Sequence, residues 1–562
     1  RKKFMKNIEQ QRAAILDAKK RGKWAVLKTY TKFSGPGWLQ SAITLGGGSL
    51  ASALDLGVLG GFGFMWLQPL AMILGIAMLG AIAYITLSIK SPLEALNKNI
   101  SPLLGYGWAC GSMFACFVFA MPQFALGTAA ITQNLGWLAD TRANQIAITA
   151  VLFVFAMSMV AMYAVGGKWV GIFEIAIKIS VAAIVICFFG VVVSLSVQGK
   201  IPWGRICGGF LPNFSVLFAP SEDFAKYIAQ LGEAGRGYWS ALIVSQQRDV
   251  VISAAAMAVG INMTFLFPFS MLKKGWNEDF RGLAIFDLAT GLFVPFMLAT
   301  SCIVIASASQ FHAKPYAELV SAKIENGALV GGSHIAPNLA KGYVSLLDAR
   351  IVSDIGAEKF ASLAQPQRDA LRNALSVPEK NMASMLVKRD ASNLSETLEP
   401  LVGKDVARYI FGFGVLGMAI NAMLMNMLIC GLCFAQITKA GGSAKRHLIG
   451  SSLIAVSAAT SLFFEGAKMW LVVYAGVAAM VLLPIAYGAF FAMMNSRRIM
   501  GKHMPTGASR AVWNVFMGAS VAASVTASLW VLHAKLGWWG IALFAAFLAA
   551  VLISMKMKKA EK

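Results

Sequence analysis

The sequence predicts an all-α membrane protein in which about a dozen helices cross a lipid bilayer. Of its 562 residues, 57% are hydrophobic and only 13% are charged, whereas about 25% of the residues in soluble domains carry a charge. Apolar stretches of about 20 residues, the length that crosses the hydrocarbon core, recur along nearly the whole chain. Together these observations indicate one large membrane domain.

The apolar runs and the polar links between them place twelve spans. We predict these spans at residues 36–59, 63–89, 107–135, 144–163, 169–197, 249–272, 283–307, 407–437, 446–463, 469–494, 511–533 and 538–555. The same pattern divides the chain into a basic N-terminal segment (1–33), spans 1 to 7 (34–307), an insertion (308–406), spans 8 to 12 (407–556) and a tail (557–562).

The basic residues set the expected orientation. The first 33 residues carry eleven Lys or Arg residues against Glu9 and Asp17, and alternate links and the tail are also basic. This bias predicts a multi-pass protein of a bacterial inner membrane with both termini in the cytoplasm. The net charge is +23, but the Lys and Arg residues lie between spans and not on a soluble face with aromatic residues. Nucleic acid is therefore not an expected partner, whereas the lipid bilayer is.

The insertion carries no such bias. Residues 312–406 contain eleven basic and eleven acidic residues, so the segment gives no orientation signal and can be translocated. We interpret it as extracytoplasmic, either as a cap over the membrane domain or as an inert insertion. The link 200–248, which contains Pro202, Pro212 and Pro220, is predicted to be a second external loop.

Span 1 contains a glycine run that predicts a broken helix. Gly46, Gly47 and Gly48 lie in the middle of the span, and the helical pattern resumes at Leu50. Because every backbone group in lipid must be paired, such a break is costly unless it faces a cavity. The second helical half would also point free N–H groups at the membrane centre, which is a device for binding a substrate.

Span 6 contains a counterpart. Gly260, Asn262 and Thr264 form a polar cluster at mid-span, and Pro268 follows one turn later. Two interrupted helices that are five spans apart predict an inverted repeat of five helices with two extra helices. Close packing by small residues is the alternative explanation of the glycines, but the pairing of the two breaks favours a substrate site.

Several short motifs occur in an order and spacing that resemble one family. These motifs are Gly35-Pro36-Gly37, Leu126-Gly127-Thr128-Ala129, Phe210-Leu211-Pro212, Phe286-Asp287, Leu483-Pro484 and residues 495–501. Together they resemble the NRAMP (natural resistance-associated macrophage protein) family of divalent-metal transporters, within the amino acid-polyamine-cation superfamily. The resemblance covers most of the membrane part. It implies a LeuT-like fold, alternating access and a divalent metal cation as substrate.

The family's metal-binding residues are replaced in this chain. Its Asp-Pro-Gly-Asn motif aligns with Gly46 to Ser49, and its Met-Pro-His-Asn motif aligns with Asn262 to Phe265. The resemblance therefore implies that Gly46 stands where the family has a metal-binding aspartate. If the alignment shifts by one residue, Met263 takes the place of the family's thioether ligand.

The acidic residues that serve proton passage in the family are replaced as well. They align with Ala51, Met121 and Phe124. Two other acidic residues remain in or near the spans, Asp55 beyond the break in span 1 and Asp287 near the start of span 7. Since a charge in the membrane is costly, each is a candidate for gating or for ion coupling.

Two alternatives remain for the substrate: a divalent metal cation, which the resemblance implies, and a small organic solute, which the residues at the break favour. A dehydrated divalent cation needs anionic or several strong oxygen ligands. The neutral oxygens at these breaks therefore suit a hydrated Mg²⁺ better than Mn²⁺ or Fe²⁺. A glycine-rich break at a helix N-terminus also suits a small neutral or carboxylate-bearing organic solute. The candidate binding residues are Thr44, Leu45, Gly46, Gly47, Gly48, Ser49, Gln123, Asn262, Met263 and Thr264.

Three further neutral side chains within spans, Gln40, Asn421 and Asn426, could face the same cavity. No metal site is assigned with its ligands, and no cofactor is expected. A non-transporting sensor or scaffold is the alternative from another class of protein. An enzyme is not expected, because no nucleophile arrangement, metal cluster or nucleotide-binding loop is present in the sequence.

Overall fold

Long apolar helices form the membrane domain, as the sequence predicts. The computed structural model describes residues 2–33, 35–165, 168–199, 201–330, 335–389, 393, 395, 403–439, 442–463 and 468–560. Parts of the predicted insertion and tail therefore lie outside the described residues. Within the described ranges, ten helical stretches are long and apolar enough to cross a membrane, and one further pair of helices is bent by 54° at a short break.

The twelve predicted spans keep their numbers here. Their helices are Gly37–Thr44 with Gly47–Gly60 (span 1), Leu67–Ile89 (2), Pro102–Ala129 (3), Arg142–Val165 (4), Lys168–Val197 (5), Glu233–Ala258 with Ile261–Lys273 (6), Arg281–Leu288 with Val294–Phe311 (7), Lys404–Ile437 (8), Ala444–Ser452 with Ala455–Ser461 (9), Lys468–Met480 with Leu483–Met494 (10), Gly507–Leu536 (11) and Trp538–Ala560 (12). The halves of spans 1 and 6 are called 1a, 1b, 6a and 6b.

Shorter elements join the spans. The N-terminal segment forms helices Lys2–Arg21 and Lys23–Tyr30, and the links contain Gly61–Phe64, Pro92–Asn99, Trp203–Gly208, Phe214–Leu217, Glu222–Phe224, Ala225–Ile228, Glu278–Phe280, Arg497–Met500 and Gly501–His503. Two π-helical turns, Ala130–Asn134 and Ala289–Phe293, extend span 3 and join the halves of span 7.

Side-chain contacts place both ends of the chain on one face of the membrane domain. Arg12 of the first helix pairs with Asp279, just before span 7, at 2.6 Å. Ser101, at the start of span 3, donates a hydrogen bond of 2.9 Å to Ser554 near the end of span 12. We call this side the terminal face. The insertion follows the far end of span 7 and lies on the opposite side, the insertion face.

Span 6 begins sixteen residues earlier than predicted, at Glu233 rather than 249, so the predicted loop 200–248 is wrong over its last part. The sequence predicted a loop here because the helix contains the polar run 246–249. In the structure those polar groups are paired with the preceding loop: Gln247 donates to carbonyls of residues 216 and 219 at 2.6 and 3.0 Å. Arg248 donates to the carbonyl of Leu217 at 2.5 Å.

Span 9 also differs from its prediction. The expected single crossing at 446–463 is divided into Ala444–Ser452 and Ala455–Ser461, and neither helix alone is long enough to cross a bilayer. This stretch is rich in hydroxyl side chains that bond to backbone. Ser457, for example, donates to the carbonyl of Phe117 in span 3 at 2.9 Å. The short helices therefore pack through polar contacts that an apolar-run search does not register.

The insertion folds into helices and one hairpin. Its described helices are Ala317–Ser321, Pro337–Ile355, Ala357–Ser362, Gln365–Ala374 and Val377–Leu386. Strands Lys323–Glu325 and Ala328–Val330 pair antiparallel, with Ile324 opposite Leu329. The helical composition at 358–375 predicted this part of the insertion correctly.

Glu379 docks the insertion on helix 6a. The Nε of Arg350 donates to both carboxylate oxygens of Glu379 at 3.2 Å, and the indole N–H of Trp239 in helix 6a also donates to this carboxylate. A Cβ at Gly235 would collide with the same carboxylate. The side chains of Arg350 and Glu379 are only 5% and 11% exposed, so the pair is largely removed from water and each charge needs its partner.

We expect Glu379→Gln to loosen this docking. The substitution leaves the buried Arg350 with Asp354 as its remaining acid, and the loss of one partner of a buried pair costs about 3 kcal/mol. Amide hydrogen exchange across residues 337–386 of the detergent-solubilised protein should therefore become about 100-fold faster. The exposed Glu358→Gln is the matched control. Equal exchange rates in the two variants would show that the Glu379 charge does not hold the insertion.

Candidate functional site

The predicted break in span 1 is confirmed. Helix 1a ends at Thr44, Gly46 is extended with φ −93° and ψ −177°, and helix 1b begins at Gly47. The side-chain oxygen of Gln123 accepts a hydrogen bond of 3.0 Å from the N–H of Gly47. Ser49 donates its hydroxyl to the carbonyl of Gly46 at 3.0 Å. The sequence suggested that the free N–H groups at the start of helix 1b could bind a carboxylate-bearing solute. One of these N–H groups, that of Gly47, already donates to a side chain of the protein.

Close approach of neighbouring helices explains why these residues are glycines. A Cβ at Gly46 would lie 2.5 Å from the Cβ of Ala422 in span 8, and a Cβ at Gly48 would lie 2.5 Å from the sulfur of Met257 in helix 6a. At Gly47 a Cβ would lie 2.7 Å from the side-chain oxygen of Gln123. No side chain fits at these distances without movement of its neighbours. The glycine run therefore serves close packing as well as the break.

The predicted break in span 6 is confirmed as well. Helix 6a ends at Ala258, and helix 6b begins at Ile261 after two extended residues. Asn262 donates to the side-chain oxygen of Asn426 in span 8 at 3.0 Å, and its own oxygen accepts from the N–H of Met263 at 3.0 Å. The hydroxyl of Thr44 donates to the sulfur of Met263 at 3.3 Å. This last contact joins the two breaks directly.

A small cavity of about 30 Å³, with both polar and apolar residues in its lining, lies between the two breaks. A water molecule needs roughly 10–15 Å³ of such space, so the cavity holds one or two waters or a small ion. Its lining residues are Ile43, Thr44, Gly48, Ser49, Phe119, Gln123, Ala256, Met257, Gly260, Asn262, Met263, Ala422 and Asn426. Six of the ten candidate binding residues are in this set.

The other four candidates lie elsewhere. Leu45, Gly46 and Gly47 form the break itself, where the carbonyl of Gly46 already accepts from Leu50 at 3.3 Å. Thr264 is turned away from the cavity, because its hydroxyl donates to the carbonyl of Ile261 at 2.5 Å and accepts from the indole of Trp108 at 2.9 Å. This position corrects the expectation that Thr264 faces a substrate.

The structure also adds groups that the sequence did not single out. Met257 and Phe119 line the cavity, although in sequence they resemble ordinary apolar positions. Met257 lies one turn before the break at Gly260, and that spacing is the signal that could have found it. Of the three further neutral groups, Asn426 lines the cavity, whereas Asn421 donates to Ser180 of span 5 at 3.0 Å.

Asp287 holds the start of helix 1a. Its carboxylate accepts hydrogen bonds from the N–H groups of Gly35 at 2.9 Å and of Gly37 at 2.5 Å. A Cβ at either glycine would collide with Asp287, which explains the Gly-Pro-Gly motif. These bonds join span 7 to the first turn of helix 1a. The gating role of Asp287 remains a prediction, and these two bonds are the contacts through which Asp287 would act.

The donor set at the cavity is neutral. The described residues contain no group of three or more His, Cys, Asp or Glu side chains placed to hold a metal ion. The cavity instead offers hydroxyl oxygens, amide oxygens and the thioether sulfurs of Met257 and Met263. Such a set can bind an ion only together with water or backbone carbonyls.

Comparison with known proteins gives a family similarity for one segment of the chain and the fold of the whole. The family model described as natural resistance-associated macrophage protein-like matches residues 379–534, which include span 8 of the site. The chain is a multi-pass membrane protein, and this segment of it is similar to that family. Its fold is similar to the crystal structure of the Eremococcus coleocola manganese transporter in complex with an aromatic bis-isothiourea substituted compound, with a TM-score of 0.60 at 10% identity over 96% of each chain.

Two mutant structures of the same Eremococcus coleocola transporter have TM-scores of 0.52 at 10% identity, over 95% of each chain. None of the curated proteins compared with this chain matches it. At such low identity the structural likeness establishes the fold alone. With the broken spans 1 and 6, it confirms the predicted LeuT-like fold.

We expect that an aspartate introduced at position 46 improves Mn²⁺ binding only if space is made for its side chain. Gly46→Asp should destabilise the protein by about 2 kcal/mol through overpacking against Ala422 and should bind Mn²⁺ no more tightly than the parent. The double variant Gly46→Asp/Ala422→Gly supplies both a carboxylate and room, and its affinity for Mn²⁺ should exceed that of the parent by about tenfold or more. Thermal unfolding in detergent during a Mn²⁺ titration measures both effects.

The control for that pair is Ala422→Gly alone, which opens space without adding a charge and should bind Mn²⁺ no more tightly than the parent. If Gly46→Asp alone folds normally and binds Mn²⁺ more tightly than the parent, the packing explanation of the glycine run is wrong.

We expect Asp287→Asn to free helix 1a. An amide oxygen is a weaker acceptor than the carboxylate that now serves two N–H groups, and the loss of charge-assisted bonds should cost about 2 kcal/mol. Amide exchange at residues 37–45 should therefore become faster. Asp279→Asn is the matched control, because Asp279 pairs with the half-exposed Arg12 and such pairs contribute little. Unchanged exchange in Asp287→Asn would exclude this anchoring role.

Proposed function

We propose that this protein is an alternating-access transporter of a divalent metal cation, with Mg²⁺ as the first candidate. The observation that carries the proposal is the convergence of two broken helices on one small cavity that includes polar groups in its lining, which is how membrane transporters place an ion or a substrate at mid-membrane. The match to the NRAMP-like family model and the likeness in fold to a manganese transporter support a metal cation.

The chemistry of the cavity favours a hard ion. Thr44, Ser49, Gln123, Asn262 and Asn426 line it and offer hydroxyl and amide groups. Mg²⁺ prefers oxygen ligands and usually keeps several of its waters, so neutral groups can bind it through that water. A site selective for Mn²⁺ or Fe²⁺ would be expected to include a carboxylate or an imidazole.

The thioether of Met263 keeps Mn²⁺ as the second candidate ion. Its sulfur accepts a hydrogen bond from Thr44 at 3.3 Å and lines the cavity. The shift of one residue considered in the sequence alignment therefore agrees with the geometry. A softer ion would use this sulfur, whereas Mg²⁺ would not.

The cavities suggest a conformation that is closed at the site and more accessible from the terminal face. A vestibule of about 460 Å³ opens on that face and is lined in part by Phe269 of helix 6b and Leu432 of span 8. Phe269 lies two turns beyond Asn262, or about 10 Å along the helix axis. Under the predicted orientation this is the cytoplasmic side. A hydrated Mg²⁺ would enter the site only when this short barrier opens.

One observation weighs against a carboxylate-bearing solute: the N–H of Gly47 is already bonded to Gln123. No described contact specifically favours a sensor. Both alternatives are therefore outcomes of the functional test.

Uptake into proteoliposomes tests the proposal. We expect uptake of Mg²⁺, with weaker uptake of Mn²⁺, and a loss of about tenfold or more for both ions in Asn262→Ala, which removes a lining amide. Met263→Leu keeps the volume and removes the sulfur, so it should lower Mn²⁺ uptake more than Mg²⁺ uptake. Met271→Leu, at a buried position on the same helix 6b outside the cavity, is the matched control.

The same vesicles should be tested with amino acids and small organic acids. Uptake of one of these solutes without uptake of either metal would replace the proposal with an organic-solute transporter. Absence of any uptake by folded protein would favour the sensor. Equal effects of Met263→Leu and Met271→Leu would remove the thioether from the site.

A further inference from the structure

The insertion-face end of helix 1b is capped by a histidine from another span. His312 follows the last residue of span 7 and is only 8% exposed. Its Nδ1 lies 2.9 Å from the carbonyl oxygen of Val58, in the last turn of helix 1b. The last four carbonyls of a helix have no partner within that helix, so His312 supplies a partner from outside and caps it.

Glycines permit the close contact between helix 1b and this histidine. Gly61, directly after helix 1b, has a positive φ of 57°, and a Cβ at this position would collide with the ring of His312. One turn earlier, a Cβ at Gly57 would collide with the hydroxyl of Ser307 in span 7. The imidazole ring therefore has a defined position at the junction of helix 1b and span 7.

The other ring nitrogen of His312 faces the link between spans 5 and 6. Its Nε2 lies 3.3 Å from a carboxylate oxygen of Asp223 and 3.1 Å from the hydroxyl of Ser221. Arg205 donates to the same oxygen of Asp223 at 2.6 Å. The ring of Phe224 packs against the imidazole in a T-shaped arrangement, with 5.2 Å between the ring centres. One side chain thus joins this link to helix 1b.

The link is in turn anchored on helix 6a. Gln247 of that helix accepts a hydrogen bond of 3.0 Å from the N–H of Ser221 and donates to the carbonyls of residues 216 and 219. Helices 1b and 6a are the half-helices on the insertion side of the two breaks. His312 therefore connects both of them through hydrogen bonds and one ion pair.

The partners of the ring select its charged form. A carbonyl and a carboxylate can only accept hydrogen bonds, so both ring nitrogens of His312 need a proton to bond to Val58 and to Asp223 at the same time. The doubly protonated ring is positively charged, and it is attracted both by the carbonyl end of helix 1b and by Asp223. A neutral ring loses one of these two bonds.

Histidine is the side chain whose charge changes near neutral pH. The hydrogen bond from His312, followed by Arg205, holds the pKa of Asp223 well below its usual range. The carboxylate of Asp223 therefore stays ionised while the histidine gains or loses its proton.

Three further charged residues lie around this junction. They are Asp55 on helix 1b, Lys314 two residues after His312, and Arg389 of the insertion, whose guanidinium lies 4.7 Å from the ring centre of Phe311. The acid favours a positive charge on the histidine, whereas the two basic groups oppose it. Asp223 and the end carbonyl of helix 1b are the groups within hydrogen-bonding or ion-pairing distance of the ring nitrogens.

We propose that His312 is a pH-sensitive clasp: its imidazolium holds helix 1b against the link between spans 5 and 6, and loss of the proton frees helix 1b to open the insertion face. The closure is present in acid and is lost as the pH rises through about pH 5 to 8, the range in which histidine gives up its proton. The role of the clasp in transport rests on the function proposed above, whereas the closure itself needs no cargo.

Cysteine accessibility at position 52 measures this closure. Ser52 is fully buried in helix 1b, and its hydroxyl lies 3.3 Å from that of Ser253 in helix 6a, so separation of the two half-helices exposes it. In a cysteine-free background, Ser52→Cys is labelled from the insertion face with a membrane-impermeant thiosulfonate. Each rate is divided by that of the exposed Lys359→Cys at the same pH. The normalised rate should rise by about fivefold or more from about pH 5.5 to about pH 8.

His312→Gln should abolish this rise. Glutamine can donate to one acceptor but cannot bind the proton, so the variant should label at every pH at about the rate that the parent reaches near pH 8. His533→Gln is the matched control. His533 is an exposed histidine at the insertion-face end of span 11, where its ring packs against Trp538, and its loss should leave the pH profile of the parent unchanged.

Asp223→Asn tests the clasp from the other side and serves if His312→Gln does not fold, as judged by thermal unfolding. It keeps the histidine and removes the anion, so the rise in labelling should move to lower pH by about one unit. A parent rate that does not change with pH, or the same profile in the parent and in His312→Gln, would overturn the clasp. Because labelling needs no cargo, a failure of metal uptake leaves this result intact.

Discussion

The requirement that each backbone group in lipid finds a partner governs the rest of this structure. A break in a spanning helix exposes such groups, and this protein satisfies them with specific neutral side chains. Gln123 accepts from the N–H of Gly47, Ser49 donates to the carbonyl of Gly46, and Asn262 accepts from the N–H of Met263. The same side chains that repair the breaks also line the cavity between them. The chemistry of the site is therefore a consequence of how the backbone is paired.

Because position 46 is a glycine and not a carboxylate, the attraction for a cation must come from the partial charges at the helix ends. Helix 1a ends at Thr44 and helix 6a ends at Ala258, and the carbonyls at both ends carry partial negative charge toward the break. The starts of helices 1b and 6b carry the opposite partial charge, and Gln123 already covers one N–H at the start of 1b. A cation is thus favoured beside the carbonyl ends. This is a weaker attraction than a carboxylate would give, and it explains why the proposed cargo keeps part of its water.

Local patterns were sufficient to predict the breaks but not the packing around them. Glycines and polar residues within an apolar run mark positions 46 and 260 without any tertiary information. Helical geometry could also have excluded Thr264, because residues two apart on a helix differ by about 200° and cannot both face one cavity with Asn262. Asn426 is different, since only the fold brings span 8 beside helix 6b. The polar run at 246–249 suggested a loop because its partners lie in the preceding segment.

The position of Arg389 could not be predicted for a similar reason: it depends on how the whole insertion docks. A nearly neutral segment of this length gives no orientation signal, and its prolines and charges are typical of an external domain. Its relation to the transport pathway appears only when Glu379 meets Trp239 in helix 6a and Arg389 meets Phe311 at the end of span 7. The two faces of the membrane domain then differ in the structure that separates each of them from the cavity. The terminal face is separated from the cavity by about two turns of helix, whereas on the insertion face the docked segment contacts helix 6a, the end of span 7 and span 10. In the proposed alternating-access cycle, opening toward the insertion face must therefore also accommodate the buried pair of Arg350 and Glu379 that docks the insertion on helix 6a.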